Sequence, residues 1–295
     1  NSSNSLNIIH TMFETDQCPQ GWKLELNQAD MVMNPSEFGV GAFKRSGISN
    51  CYYMPFYIDT NKFNSDINKS IKVDKFKFMW IGDLTPRKNL DMILGAYLNA
   101  FRSNEDVLLI LKVYIKRENS LNEFINRIKI VRKQLVAIKY PEILLYPSII
   151  DDSNIPNFIN SCDCFVSTSK GEGFGFPLLY AMACEKIVIS HSWSSCKDYI
   201  NPENSLPLEY EIMPVPYEIV KIDENFYGHK WAEPSLEHLI SLMNYVYKHN
   251  DKLIDRRKKA RETIVDKYSK SIIMNNFNNL IKIAKERRRG ATLSY

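Results

Sequence analysis

From residue 76 onward, short apolar runs alternate with stretches whose apolar residues recur every three or four positions. The runs predict strands at Phe76–Ile81, Val107–Tyr114, Ile143–Tyr146, Cys164–Thr168 and Ile187–His191. Between them the periodicity predicts helices at Leu90–Phe101, Leu121–Ala137, Ile155–Asn160 and Pro177–Cys184. Strands that are apolar throughout, separated by helical stretches, predict an α/β fold: a parallel sheet covered by helices on both faces. A shorter block precedes this one, with strands at Asn7–Phe13, Met31–Met33 and Cys51–Pro55 and helices at Trp22–Asn27 and Glu37–Arg45. The segment Ile58–Lys72 is polar and rich in Asn and Lys, so it reads as a linker. Residues 1–6 look disordered, and residues 234–285 read as helical throughout. The expected divisions are 1–57, a partial α/β segment; 58–270, a Rossmann-like domain; and 271–295, a final helix and tail.

The 295 residues are 44% hydrophobic and 24% charged, an ordinary globular composition with ample material for a core. No run approaches the roughly 18 apolar residues of a membrane span. The most apolar stretch, Val107 to Tyr114, is short, carries Lys112 and reads as a buried strand. A net charge of +4 is too small to imply a nucleic-acid partner, and none is expected. Its distribution says more, because residues 251–289 hold 13 Lys or Arg against 5 Asp or Glu. The cluster Arg256–Arg261 fits a solvated helix face or a surface for anionic lipid or acceptor. The six cysteines (18, 51, 162, 164, 184 and 196) lack zinc-site spacing, so reduced thiols and no metal are expected. Cys162 and Cys164 are predicted to share one face of a strand. No signal peptide is visible, which points to a cytoplasmic protein, with peripheral membrane contact through the basic C-terminal helices as an alternative.

Two loops carry chemistry. In Ser167-Thr-Ser-Lys-Gly-Glu-Gly-Phe-Gly-Phe-Pro a strand ends, Gly171, Gly173 and Gly175 free the backbone, and Pro177 suits a first helical turn. Free N–H groups at the positive end of a helix make an anion site. Glu172 would repel a phosphate, so it is expected to accept hydrogen bonds from neutral hydroxyls beside one; a sugar diphosphate supplies both groups. A glycine-rich turn with a solvated Glu accounts for the loop equally well. The second loop, Asp83-Leu-Thr-Pro-Arg-Lys-Asn, places Arg87 and Lys88 just before a helix. Cations there oppose the helix dipole unless an anion sits between them and the helix end. A departing diphosphate needs that neutralisation; two tolerated surface charges are the plainer alternative.

The segments GDLTPRKNLDMILGAY and EGFGFPLLYAMACEKIVISHSWSSCKDYI, with HTMFETDQCPQGWKLELNQADMVMNPSEF near the start and HKWAEPSLEHLISLMNYV near the end, resemble glycosyltransferase family 4 and its relatives of the GT-B fold. The resemblance runs from His10 to about residue 250. It implies retaining, metal-independent transfer from a nucleoside diphosphate sugar, with no cofactor beyond that substrate. The donor's base and the acceptor (glycan, lipid-linked or protein) stay open. By resemblance Glu172 touches the donor sugar, Phe174 and Gly175 offer amides to sugar and phosphate, and Lys88, with Arg87, holds the diphosphate. Gly173, Phe176 and Pro177 complete the donor loop. His10 and Glu14 fall where the other domain borders the cleft, or they are a strand-end core residue and a loop charge. By resemblance, Glu233-Pro234 starts a helix and the last helix, Ile272–Lys285, crosses back onto the N-terminal part.

Departures from the pattern accompany the likeness. The family's second Glu, which holds the ribose hydroxyls, is Tyr180 here, and a phenol offers one oxygen where a carboxylate offers two. Glu185, five residues on from Tyr180, lies about 140° around the helix and is a poor substitute. Asp83 stands where the family often has Arg, with Arg87 as a candidate replacement. Only about 57 residues match the end of the N-terminal domain. The alternatives are therefore a non-catalytic sugar-nucleotide-binding or scaffolding subunit, and another GT-B enzyme such as a sugar-nucleotide epimerase. Tyr210, Tyr217, Phe226 and Tyr227 are expected in a loop near the cleft.

Overall fold

The computed structural model describes residues 5–115, 120–134 and 139–292. Strand β1 (Ile8–His10), helix α1 (Lys23–Gln28), β2 (Met31–Asn34), α2 (Glu37–Arg45) and β3 (Cys51–Tyr53) come first. Their three strands form a parallel sheet in the order β1-β2-β3. Helix α2 begins at Ser36, whose hydroxyl accepts from Gly39 N at 2.9 Å, one of the orphan donors of a first turn. Its Ala42 and Phe43 pack on Val32 and Cys51.

The main sheet follows: β4 (Phe76–Gly82), α3 (Leu90–Ala100), β5 (Val107–Val113), α4 (Ser120–Gln134), β6 (Glu142–Tyr146), α5 (Ile155–Asn160), β7 (Cys164–Val166), α6 (Phe176–Ala183), β8 (Ile187–Ser190) and β9 (Leu206–Pro207). All neighbours are parallel, in the order β6-β5-β4-β7-β8-β9. The unbroken apolar runs have their reason in this arrangement, since both faces are buried. Phe78, Trp80, Leu109, Leu111 and Val166 face α3 and α4 in one core. Met79, Leu108, Ile110, Phe165 and Val188 face α5 and α6 in the other.

Past β9 the chain forms β10 (Tyr210–Pro214), α7 (Tyr217–Val220) and β11 (Lys230–Pro234) before α8 (Leu236–His249), α9 (Ile254–Tyr268) and α10 (Lys270–Thr292). Helix α8 packs on the first core through Leu239, Met243 and Val246, and α9 on the second through Ala260, Ile264 and Tyr268. Helix α10 lays Ile273, Leu280 and Ala284 against Met31, Met33 and Met54 of the first sheet.

Several expectations change. Tyr210 lies in an antiparallel hairpin, β10 with β11, and Tyr217 opens α7, so this stretch is more than a loop. Glu233 and Pro234 end β11; α8 starts two residues later, capped by the Ser235 hydroxyl. The span 234–285 is three helices, broken by a 3-10 turn at Asn250–Leu253 and again at Ser269. The polar segment after Ile58 is no loose linker: Ile58 and Phe63 are buried in the second core, and Ser70 N bonds Asn157 O at 3.0 Å. Cys162 sits in the turn before β7, so it shares no strand face with Cys164. All six thiols are free and buried, and burial pushes that of Cys162 up to about 12. Arg261 is no solvated charge, since its guanidinium donates to the carbonyls of Phe63, Ala183 and Thr60. The disorder expected for residues 1–4 and the helix end expected at 135–137 lie outside the described residues. Among the described residues no helix is long and apolar enough to cross a membrane.

Candidate functional site

The strand order reverses direction between β4 and β7, which are neighbours in the sheet. At such a switch point the loops from the carboxyl ends of both strands leave side by side, opening a crevice. The loop after β4 carries Arg87 and Lys88; the loop after β7 carries the three glycines. Lys88 Nζ lies 2.5 Å from Glu172 Oε1, and Arg87 Nη1 lies 3.7 Å from Glu172 Oε2. Arg87 Nη1 also donates to the Gly171 carbonyl at 2.7 Å. The backbones join as well, Lys170 N donating to Arg87 O at 2.8 Å. Thr168 Oγ1 accepts from Trp80 Nε1 and lies 3.0 Å from the carbonyls of Lys88 and Asn89. Asn89 takes a left-handed conformation and turns the chain into α3.

Glu172 is therefore not a solvated charge. Burial alone would raise its carboxyl, but Lys88 and Arg87 outweigh that and hold it below the ordinary carboxylate range. The sequence pointed to neutral hydroxyls as its partners; within the chain its main partners are the two cations, with the Ser169 hydroxyl as a further hydrogen-bond partner. A depressed carboxyl contributes stability that is full above the unfolded value, near 4.3, and is lost as pH falls through the folded value. The thermal midpoint should thus fall more steeply below about pH 4.5 in the unaltered chain than in Glu172→Gln; parallel melting curves across that range would contradict the pairing.

The glycine loop is braced from behind. Glu172 N donates to Ser194 Oγ at 2.9 Å, in the 3-10 turn Ser194–Asp198. Gly175 has φ of 83°, and a Cβ there would collide with the Tyr199 hydroxyl, which donates to Phe174 O at 3.0 Å. His191 lies 2.5 Å from Ser169 O through Nε2, while its Nδ1 accepts from Trp193 N at 3.1 Å. Those partners require the neutral Nε2–H form, which burial also favours by lowering the ring's pKa. Lys170 pairs with Glu233 of β11 at 2.5 Å, so the hairpin supports the loop. Helix α6 then starts at Phe176 with Pro177, which has no N–H, in its first turn. Leu178 N and Leu179 N both donate to Gly175 O, so the helix end offers the loop chiefly the positive pole of its dipole.

The N-terminal segment closes the other wall. Glu14 pairs with Arg87 at 3.1 Å, so it is more than a loop charge. His10 is exposed rather than part of a core, and it stacks on Phe56 with centroids 4.4 Å apart. Phe56 in turn meets Phe174 and Phe176 edgewise or tilted at 5.3 Å. Met12 comes close enough to Gly173 that a Cβ there would press on its sulfur at 2.8 Å. Ser194, Tyr199, His191 and the Glu14 pairing were not singled out from the sequence. The Ser, His and Tyr lie in the stretch HSWSSCKDY, whose several small and polar residues directly after a strand were the available signal.

Tyr180 lies one turn into α6 and stacks flat on Phe63, with centroids 3.9 Å apart and planes 2° apart. It borders a cavity of about 670 Å³ at the carboxyl ends of β4, β5 and β6, lined also by Ile81, Lys112, Tyr114, Asp152 and Pro177. Glu185 has left α6, takes a left-handed φ of 55° and pairs with Arg261 at 3.8 Å, away from this cavity. Asp83 accepts from Thr85 N at 2.9 Å in a local turn, and Arg87 takes the side facing Glu14. Among the described residues no group of three or more His, Cys, Asp or Glu is placed to hold a metal ion.

Residues 61–206 match the family model described as glycosyl transferases group 1. Solved structures share the fold at low identity. TarM of S. aureus, solved as a G117R mutant with fondaparinux, α-GlcNAc-glycerol and UDP, aligns at TM-score 0.69 and 12% identity over 95% of this chain. HepE of Anabaena, in complex with UDP and glucose, aligns at 0.66 and 14% over 93%. Sucrose-phosphate synthase of Thermosynechococcus elongatus aligns at 0.65 and 16% over 88%. The chain spans 51%, 71% and 59% of those three chains respectively. The fold is thus of the GT-B type. A search of curated proteins finds no match.

Proposed function

Because residues 61–206 form a glycosyl transferases group 1 domain on a GT-B frame, we propose that the chain moves a sugar from a nucleoside diphosphate sugar to an acceptor with retention of anomeric configuration. The observation that carries this reading is the convergence of Lys88, Arg87 and the N-terminus of α6 on one crevice, with Glu172 between them. Two cations and a helix's positive end meet two carboxylates there, Glu172 and Glu14. An incoming anion would be held by the donors those pairs leave over, since an ammonium has three N–H groups and a guanidinium five. The diphosphate would sit there, with the loop amides at Gly173, Phe174 and Gly175 beside it. Glu172 would accept from the sugar's hydroxyls while keeping its bond to Lys88, since a carboxylate has acceptor sites to spare.

In the transfer the anomeric carbon's bond to the diphosphate oxygen breaks, and the electron pair leaves with the diphosphate. The acceptor oxygen bonds to the same face of that carbon, and its proton passes to a leaving phosphate oxygen. No protein nucleophile is needed. Lys88 and Arg87 would neutralise the charge that grows on the leaving group, without a metal ion. UDP-glucose bound to HepE and UDP bound to TarM support the reading by likeness of fold. The acceptor stays undefined; the exposed His10 and the paired Glu14 would border it.

The second reading, a subunit that binds the nucleotide sugar without turning it over, draws on Tyr180, which is stacked on Phe63 where a ribose-binding carboxylate would stand. Calorimetry with UDP-, GDP- and ADP-sugars, combined with assays of donor hydrolysis, separates the two. Tight binding without turnover selects the second reading, and no binding at all removes both. Tyr180→Glu should raise donor affinity several-fold, because a carboxylate accepts from both ribose hydroxyls. Unchanged affinity would mean that position 180 does not face the ribose.

A further inference from the structure

Strand β5 holds a feature the transfer chemistry does not use. Its even-numbered side chains, Leu108 and Ile110, are buried in the core beneath α5 and α6. The next in that row is Lys112, only 5% exposed, with Ile81 and Tyr146 as its cross-strand neighbours. Its ammonium donates to the Val113 carbonyl at 3.0 Å and lies 4.6 Å from the centroid of the Tyr114 ring. Among the described residues no carboxylate pairs with it. An ammonium has three N–H donors, so two remain for a ligand. Burial also pulls its pKa down, the sign of a cation held in a poorly hydrated place. A buried charge lacking a counter-ion is costly, and one lining a cavity is a candidate for recognition.

The cavity is the 670 Å³ space beside Tyr180, walled largely by Ile81, Val113, Ile150, Phe158 and Pro177, with Asp152 as the carboxylate on its lining. Its size suits a small ligand, and its apolar walls suit a flat ring better than a phosphate. From Gly175 at the phosphate end to Tyr180 the helix advances about 7.5 Å, roughly the span of a ribose. The geometry points to Lys112 as the residue that reads the nucleotide's base, donating to the carbonyl at C4 of a pyrimidine or C6 of a purine. The chain would then favour uracil over cytosine and guanine over adenine. An ammonium only donates. An exocyclic amine at the same place would set two donors against each other in a dry pocket, leaving both unpaired. This inference rests on the donor reading above and adds to it the class of base.

Titration calorimetry of the full chain with UDP, CDP, GDP, ADP and inorganic pyrophosphate tests it. Binding of UDP should exceed that of CDP, and GDP that of ADP, by about 10-fold or more, the range of a hydrogen bond to a charged group. Lys112→Met keeps the stem and removes the charge. It should bring each pair within about 3-fold while leaving pyrophosphate affinity unchanged. Equal affinities for UDP and CDP in the unaltered chain would overturn the inference without any variant being made, as would a preference that survives Lys112→Met. Failure of pyrophosphate and all four nucleotides would instead remove the donor reading, and the base assignment with it.

Discussion

Lys88→Ala is expected to weaken donor binding by about 1.5–3 kcal/mol, roughly 10- to 150-fold, the usual worth of a hydrogen bond to a charged group. Turnover should fall further, by about 10²–10³, because charge on the leaving diphosphate grows toward the transition state. The reasoning starts from position. Lys88 reaches Glu172 from the adjacent loop at 2.5 Å, so its ammonium already sits at the crevice floor. Removing it also strands Glu172, whose remaining cation, Arg87, is 3.7 Å away, and an unpaired buried charge destabilises the fold by itself. A paired variant separates the two effects. Lys88→Met combined with Glu172→Gln leaves no charge unpaired between them and should recover thermal stability. Donor affinity should stay low. Recovery of both would show that Lys88 supports the loop and does not touch the diphosphate.

The main sheet was legible in the sequence because its strands are buried on both faces. Where Phe76–Gly82 and Val107–Val113 pack against helices front and back, the run of apolar residues marks strand position without any alternation to read. Helix α2 was legible to the residue, since Ser36 supplies a cap and Arg45 precedes a Ser-Gly stop. The hairpin β10–β11 was not legible. Tyr210–Pro214 is largely exposed, contains Pro214 and pairs only with Lys230–Pro234, so no apolar run identifies it. The glycine loop announced itself by composition, yet its bracing did not. Ser194 and Tyr199 act on Glu172 and Phe174 across more than twenty residues, and only the fold brings such partners together. Lys112 is an intermediate case. A cation inside an apolar run is visible in the sequence, but its meaning depends on the cavity beside it.

Gly171→Ala should separate the two walls of the crevice. A Cβ at this position would land on the Glu14 carbonyl oxygen and come within 3.2 Å of the Trp193 ring. Neither obstacle is a flexible chain end. The Glu14 carbonyl belongs to a segment pinned on both sides, by Thr11 N to Met33 O at 3.0 Å and by Lys230 N to Asp16 Oδ1 at 2.8 Å. Relief therefore requires withdrawal of residues 11–16, which would stretch the 3.1 Å pair between Glu14 and Arg87. Overpacking of this kind costs about 1–3 kcal/mol, so the thermal midpoint should drop by several degrees. Donor affinity should fall as well, because Arg87 loses the partner that aims it. Gly21→Ala is the matched control: nothing lies within 4 Å of its Cβ, and the change should stay within about 0.5 kcal/mol. Hydrogen exchange would locate the damage, with faster exchange in residues 11–16 and in the loop at 171–175. A Gly171→Ala chain with unaltered stability and donor affinity would mean that the N-terminal segment does not rest on the glycine loop in solution. The crevice would then need no contribution from residues 10–14.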